Sequence, residues 1–203
     1  VGSLDIGHGA GAHATCTAVG EDALVASHAD STRNTAIGYN ALNDLNVDAG
    51  DYNVAVGSYA GDKITSGYSN TAVGDAALRT IDGIQNTAVG QGALGADCVS
   101  NNTAVGKSAL AAFTGSNATA VGSGAADAAT SATYLTAVGK DALGACNTGV
   151  ANTAVGYGSI AAVTDGDYNV GLGQHTGFTT TGSRNVFAGA AAGMFATSTD
   201  DCI

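Results

Sequence analysis

A five-residue phrase constrains this chain more than any other feature of it. Asn70-Thr71-Ala72-Val73-Gly74 returns as Asn86-Thr87-Ala88-Val89-Gly90 and as Asn102-Thr103-Ala104-Val105-Gly106, with looser copies along the rest of the sequence. The glycines that close the phrase run Gly7, Gly20, Gly38, Gly57, Gly74, Gly90, Gly106, Gly122, Gly139, Gly156, Gly173 and Gly189. Their mean spacing is about 16.5 residues, too short for a helical-pair repeat and suited to one turn of a β-solenoid. The expectation is an all-β chain: a parallel β-solenoid of about 12 rungs, forming one repeat domain over residues 1–203.

Each slot around the closing glycine has its own chemistry. Thr or Val stands three residues before it in all rungs but the first, which has Leu4, and Val or Ile one before it in ten rungs, with mostly Ala between them as in Ala36, Ala55 and Ala137. Side chains alternate along a strand, so the two β-branched slots share one face and the Ala slot points the other way. The glycine itself suits a bend or the close approach of another backbone. Ala and often Leu follow at three and four residues after it, as in Ala77-Leu78 and Ala109-Leu110, which reads as a second short strand with an inward anchor. Glu21, Tyr39, Asp75, Gln91, Lys107 and Gln174 vary freely beside these fixed slots, as solvent-facing residues should. The polar, uneven stretch before the next phrase reads as a surface loop.

An Asn opens the phrase in eight rungs, at Asn34, Asn53, Asn70, Asn86, Asn102, Asn152, Asn169 and Asn185. Stacked rungs would align these amides into a column bonding turn to turn. Capping of each residue's own turn is the equal alternative.

Composition narrows the function. There is no Trp and no Pro, with 4 Phe, 7 Tyr and 31 Gly, so the interior must be thin and its backbone committed to ladders. Six basic residues against 17 acidic give a net charge of −11, which argues against nucleic acid and against an anionic membrane surface. No run of about 18 apolar residues exists, so membrane insertion is not expected. The chain begins at Val1, without an initiator Met, which reads as a mature or excised fragment. A thin column leaves one strand face to be covered, and a seam through Val56, Val73, Val89, Val105, Val121, Val138 and Val155 invites symmetric self-association of three copies.

The phrase Asn-Thr-Ala-Val-Gly followed by Ala-Leu resembles the head repeats of trimeric autotransporter adhesins, and similar repeats in phage tail fibres and bacterial surface fibres. The resemblance covers roughly Leu4 to Gly193. It implies a left-handed parallel β-roll, a homotrimer, and a location outside the cell, on a cell or virion surface. The adhesin repeats are commonly shorter than the spacing here. The function expected is that of a structural extracellular fibre or filament subunit, not an enzyme. The alternative is an adhesin or tail-fibre head module that binds a glycan or host-surface receptor.

Other candidate chemistry is sparse. No catalytic or cofactor-binding set emerges. His8, His13 and Cys16 lie close in sequence but match no metal-ligand spacing. Asp48 and Asp51 precede Tyr52-Asn53, and Asp165 and Asp167 precede Tyr168-Asn169; these are weak Ca²⁺ candidates, with solvated turns the plainer reading. Tyr52, Tyr68, Tyr134 and Tyr168 could line a sugar-binding or inter-chain groove. Cys16 occupies the Asn slot of an early rung and Cys202 that of a following one, which makes them candidates for inter-chain disulfides between subunits stacked head to tail.

Overall fold

The computed structural model describes residues 6–7, 15–26, 31–45, 50–79, 82–179, 181–196 and 200–202. It is all-β, a parallel β-solenoid whose strands are the Thr-Ala-Val phrases. Two compact units divide it, 1–101 and 102–203.

The first unit holds β1 (Ile6–Gly7), β2 (Thr17–Val19), β3 (Thr35–Ile37), β4 (Val54–Val56), β5 (Thr71–Val73) and β6 (Thr87–Val89). From β2 to β6 each strand pairs in parallel with the next, Thr on Thr or Val and Ala on Ala. The second unit holds β7 (Thr103–Val105), β8 (Thr119–Val121), β9 (Thr136–Val138), β10 (Thr153–Val155), β11 (Val170–Leu172) and β12 (Val186–Ala188), again in unbroken parallel register. These pairings make about nine turns rather than the 12 rungs expected from the glycine series. The first phrase is the exception, since β1 pairs antiparallel with β2, placing Ile6 opposite Val19. Gly7 therefore does not close a parallel rung.

Three-residue strands stack because backbone groups reach the neighbouring turn on both sides of each phrase. In the first unit the Thr35 N–H donates to Asn53 O and the Val54 N–H to Asn70 O, both at 2.8 Å. At the other end of the phrase the Gly57 N–H donates to Ile37 O at 2.8 Å. Parallel ladders of this kind leave few backbone groups unpaired, and a Pro would remove one donor wherever it fell.

The Ala slot faces inward. Ala36, Ala55, Ala88, Ala104, Ala120, Ala137 and Ala154 are fully buried, while Thr and Val on either side are half-buried or exposed. Leu42, Leu78, Leu94, Leu110 and Leu143 face the alanines from across each turn, also fully buried. Burial of one such Leu contributes about 2 kcal/mol over exposure. A third inward column, seven residues after the closing glycine, was not legible in the sequence. It consists of Leu45, Ile64, Phe113, Ala129, Cys146 and Val163, all at 0–1% exposure.

The Ala-Leu segments are not strands. Their residues alternate into the left-handed region, as at Ala76 (φ 52°) with Leu78 (φ 52°) and Asp141 (φ 55°) with Leu143 (φ 52°). A strand needs consecutive residues in the β region, and this alternation instead curls the chain through a tight corner. Single ladder bonds still cross to the next turn, such as the Leu78 N–H to Ala93 O at 2.9 Å. The apolar pattern predicts a strand here because sequence period alone cannot distinguish the two backbones.

Candidate functional site: the Asn clamps and the outward strand face

Asn34, Asn53, Asn70, Asn86, Asn102, Asn152, Asn169 and Asn185 are all buried, at 0–1% exposure. Their amides act between turns. Asn53 Oδ1 accepts the Asn70 N–H at 3.0 Å, and its Nδ2 donates to Gly67 O at 2.9 Å, so one side chain grips two backbone groups of the following turn. Asn34 does the same to Asn53 and Gly50, and Asn70 to Asn86 and Gly83. In the second unit Asn169 accepts the Asn185 N–H at 3.1 Å and donates to Gly182 O at 2.9 Å. The amides also meet one another, Asn169 Nδ2 lying 3.1 Å from Asn152 Oδ1. Buried polar groups satisfied in this way specify one arrangement of the chain.

Where the column is interrupted, the substitute is a residue that fits the same buried space. Ala118 and Leu135 occupy the slot in the second unit, both buried. Cys16 occupies it in the first, and its thiol sits where an Asn carbonyl would, 3.5 Å from the Asn34 N–H and 3.4 Å from Ser31 O. At 2% exposure this thiol is packed inside its turn. Cys202 is half-exposed and its own N–H donates to Asn185 Oδ1 at 3.0 Å. Cys98 and Cys146 fill buried positions, and burial pushes the Cys146 thiol above its ordinary pKa, the opposite of an activated nucleophile. No disulfide joins these four cysteines within the chain.

The acidic turns are bound into the fold. Asp51 Oδ1 accepts the Thr32 N–H at 2.6 Å, Asp167 Oδ1 the Val150 N–H at 2.7 Å, and Asp165 Oδ1 the Thr148 hydroxyl at 2.8 Å. Each carboxylate therefore joins its turn to the preceding one. Asp48, His8, His13 and His28 lie outside the described residues. Among the described residues no group of three or more His, Cys, Asp and Glu side chains is placed to hold a metal ion.

Opposite the buried alanines, the outward face of the strands carries Thr, Val, Ile, Leu and Ala alone from β2 to β12. Val105, Val121, Val155, Leu172 and Val186 are exposed in the second unit, and Ile37 and Val54 in the first. Val56, Val73, Val89 and Val138 lie on the same face, half-buried. Within the second unit alone this makes a charge-free strip on the order of several hundred Å², the size at which exposed apolar surface marks an interaction site. Four of the six basic side chains are turned to carboxylates on their own chain: Lys63 to Asp44, Arg79 to the largely buried Asp62, Arg184 to Asp201, and Lys140 to Asp141. Arg33 lies over the Tyr52 ring, 5.1 Å from its centroid, and donates to the Tyr52 hydroxyl at 2.9 Å.

One carboxylate works against the fold. Burial raises the pKa of Asp127, with a further push from the Asp141 charge. A carboxyl whose native pKa lies above its unfolded value costs stability once pH exceeds the native value, and the cost fades on acidification toward the ordinary carboxylate range. Asp127→Asn is therefore expected to stabilise the chain at neutral pH by up to about 0.5 kcal/mol, as befits a mostly exposed site. Urea unfolding at neutral and at acidic pH checks this. An equal gain at both would mean that charge is not the cause.

No protein-family model matches this chain, nor does any curated protein or solved structure.

Proposed function

We propose that this chain is a structural subunit of an extracellular fibre, a homotrimer of left-handed β-rolls comparable to adhesin heads and phage tail fibres and placed on a cell or virion surface. One observation carries the reading: within each unit a regular charge-free strip runs along the outward strand face, in a chain whose net charge is −11. A charged partner gains nothing there. A second copy of the same face presents the same chemistry at the same turn-to-turn rise of about 4.8 Å, and closed symmetry lets three copies cover one another without leaving an edge. The role would be mechanical, with Asn clamps and backbone ladders resisting unfolding inside each copy and the apolar seam joining copies.

Sedimentation equilibrium of the full chain tests this. The expected mass is three times the 19.5 kDa of one chain. Val121→Lys with Val155→Lys should reduce it to that of one chain while circular dichroism stays unchanged, because both side chains point outward. Longer species would identify head-to-tail polymerisation in addition. A wild-type chain that stays monomeric at about 100 μM, a concentration where interfaces of ordinary size are saturated, would refute the proposal.

A further inference from the structure

We infer that Tyr134 and Tyr168 form a two-ring clamp for a neutral hexose unit of a glycan, with Ala151 as its floor. The three residues hold the same slot, immediately before the Asn position, in successive turns of the second unit. Their backbones are alike, with φ of 57°, 55° and 57°. The Ala151 N–H donates to Thr133 O and the Tyr168 N–H to Val150 O, both at 2.9 Å, which stacks the three turns at this corner. Equal conformations repeated by translation send the three Cα–Cβ bonds in one direction. Two phenol side chains thus leave the surface side by side, two turns or about 9.5 Å apart, with only a methyl group between them.

They are the most exposed of the seven tyrosines, Tyr134 at 63% and Tyr168 at 59%. The contrast with Tyr39 and Tyr59 shows what the wider spacing does. Those rings belong to adjacent turns and meet edge to face at 5.3 Å, covering one another. Tyr134 and Tyr168 have Ala151 in the turn between them, so only a methyl side chain occupies that slot between the two tyrosines.

The width of the gap selects the guest. A flat ring needs about 3.5–4.0 Å on each side, or roughly 7–8 Å in all, and would sit loosely. A saturated six-membered sugar is thicker, with C–H groups on both faces and hydroxyls around its edge. That pattern matches an aromatic body with a polar tip on each side. The net charge of the chain, with Asp165 and Asp167 just before Tyr168, disfavours phosphorylated or acidic sugars, since Arg184 in the same slot of the next turn is already paired with Asp201. This inference goes beyond the structural role and does not depend on association of the chains.

The test is titration of the full chain with maltohexaose, cellohexaose and chitohexaose, read by calorimetry and by tyrosine fluorescence, which no Trp obscures. Binding of at least one of the three with a Kd of about 1 mM or below is expected. Ala151→Tyr should weaken it at least tenfold by filling the gap. That variant should fold, since the slot already carries Tyr with the same φ one turn away on either side. Tyr134→Ala should weaken binding to a similar degree. No heat from any of the three sugars at about 10 mM, or binding by Ala151→Tyr as tight as wild type, would overturn the clamp. The mass of the same samples by sedimentation reports separately on the structural reading.

Discussion

Gly122→Ala is expected to destabilise the second unit by at least about 3 kcal/mol and to leave little soluble protein. Gly122 has φ 140°, a conformation that a residue with a Cβ rarely adopts, and an added Cβ would lie 2.5 Å from Gly139 O and 2.6 Å from its carbonyl carbon. Neither neighbour is the end of a flexible side chain. Both are backbone held in a ladder, with the Gly139 N–H bonded to Val121 O at 2.8 Å. The new methyl group could be accommodated only by separating two turns, and that would break the ladder on both sides of the phrase. Gly57 is built alike, with Gly74 O at 2.5 Å from its added Cβ, so Gly57→Ala should behave the same way in the first unit. Urea denaturation against a Lys107→Ala control provides the measurement. A loss under 1 kcal/mol would show that the turns can part more easily than their hydrogen bonds suggest.

Asn169→Leu is the second large effect, expected at about 3–5 kcal/mol. The leucine has a suitable volume, so packing is not the issue. The Asn185 N–H and the Gly182 carbonyl lose the amide that bonds them, and Asn185 Nδ2 and Asn152 Oδ1 each lose one hydrogen bond, Asn152 Oδ1 keeping the Asn169 N–H. Each buried group left unsatisfied costs on the order of 1–3 kcal/mol, and some relief comes from relaxation and water entry. Asn169→Asp makes the informative comparison. It keeps the acceptor for the Asn185 N–H but loses the donors and buries a charge, so it should be no better than leucine at neutral pH and improve as the carboxyl is protonated. Thermal unfolding of both variants from pH 4 to 8 would read this. A leucine variant as stable as wild type would mean that the clamps contribute register without stability.

How much of this could be read from the chain depends on which property each residue obeys. The strands were legible because Thr-Ala-Val recurs with a fixed closing Gly, and the parallel fold followed from the repeat length. The slots of Ala and Leu told which positions face inward. The corners were not legible. Leu78 and Leu143 look like strand residues in a periodic pattern, and only the backbone shows them in the left-handed region, where a bulky side chain is uncommon. The third inward column escaped for a different reason: Leu45, Phe113, Cys146 and Val163 share burial without sharing residue type, so no repeat of letters marks them. The direction in which the asparagines bond was also open in the sequence. A buried amide that serves its own turn and one that grips the next are written with the same letter, and the distances from Asn34 to Gly50 and from Asn53 to Gly67 distinguish them. Gly7 shows the limit of pattern matching, since it fits the series and yet belongs to an antiparallel pair.

The clamps have a consequence for how such a chain can change. Asn34 and Asn53 are 19 residues apart and Asn70 and Asn86 are 16, yet every parallel strand pair within each unit keeps the same alignment. The extra residues lie in the stretch after the third inward column, and the next Asn slot closes off whatever length precedes it. Insertions and deletions in that stretch are thereby quarantined to one turn. Such a protein can remodel its surface loops one at a time across generations, acquiring new lengths and new chemistries, while the frame that carries them never has to be renegotiated.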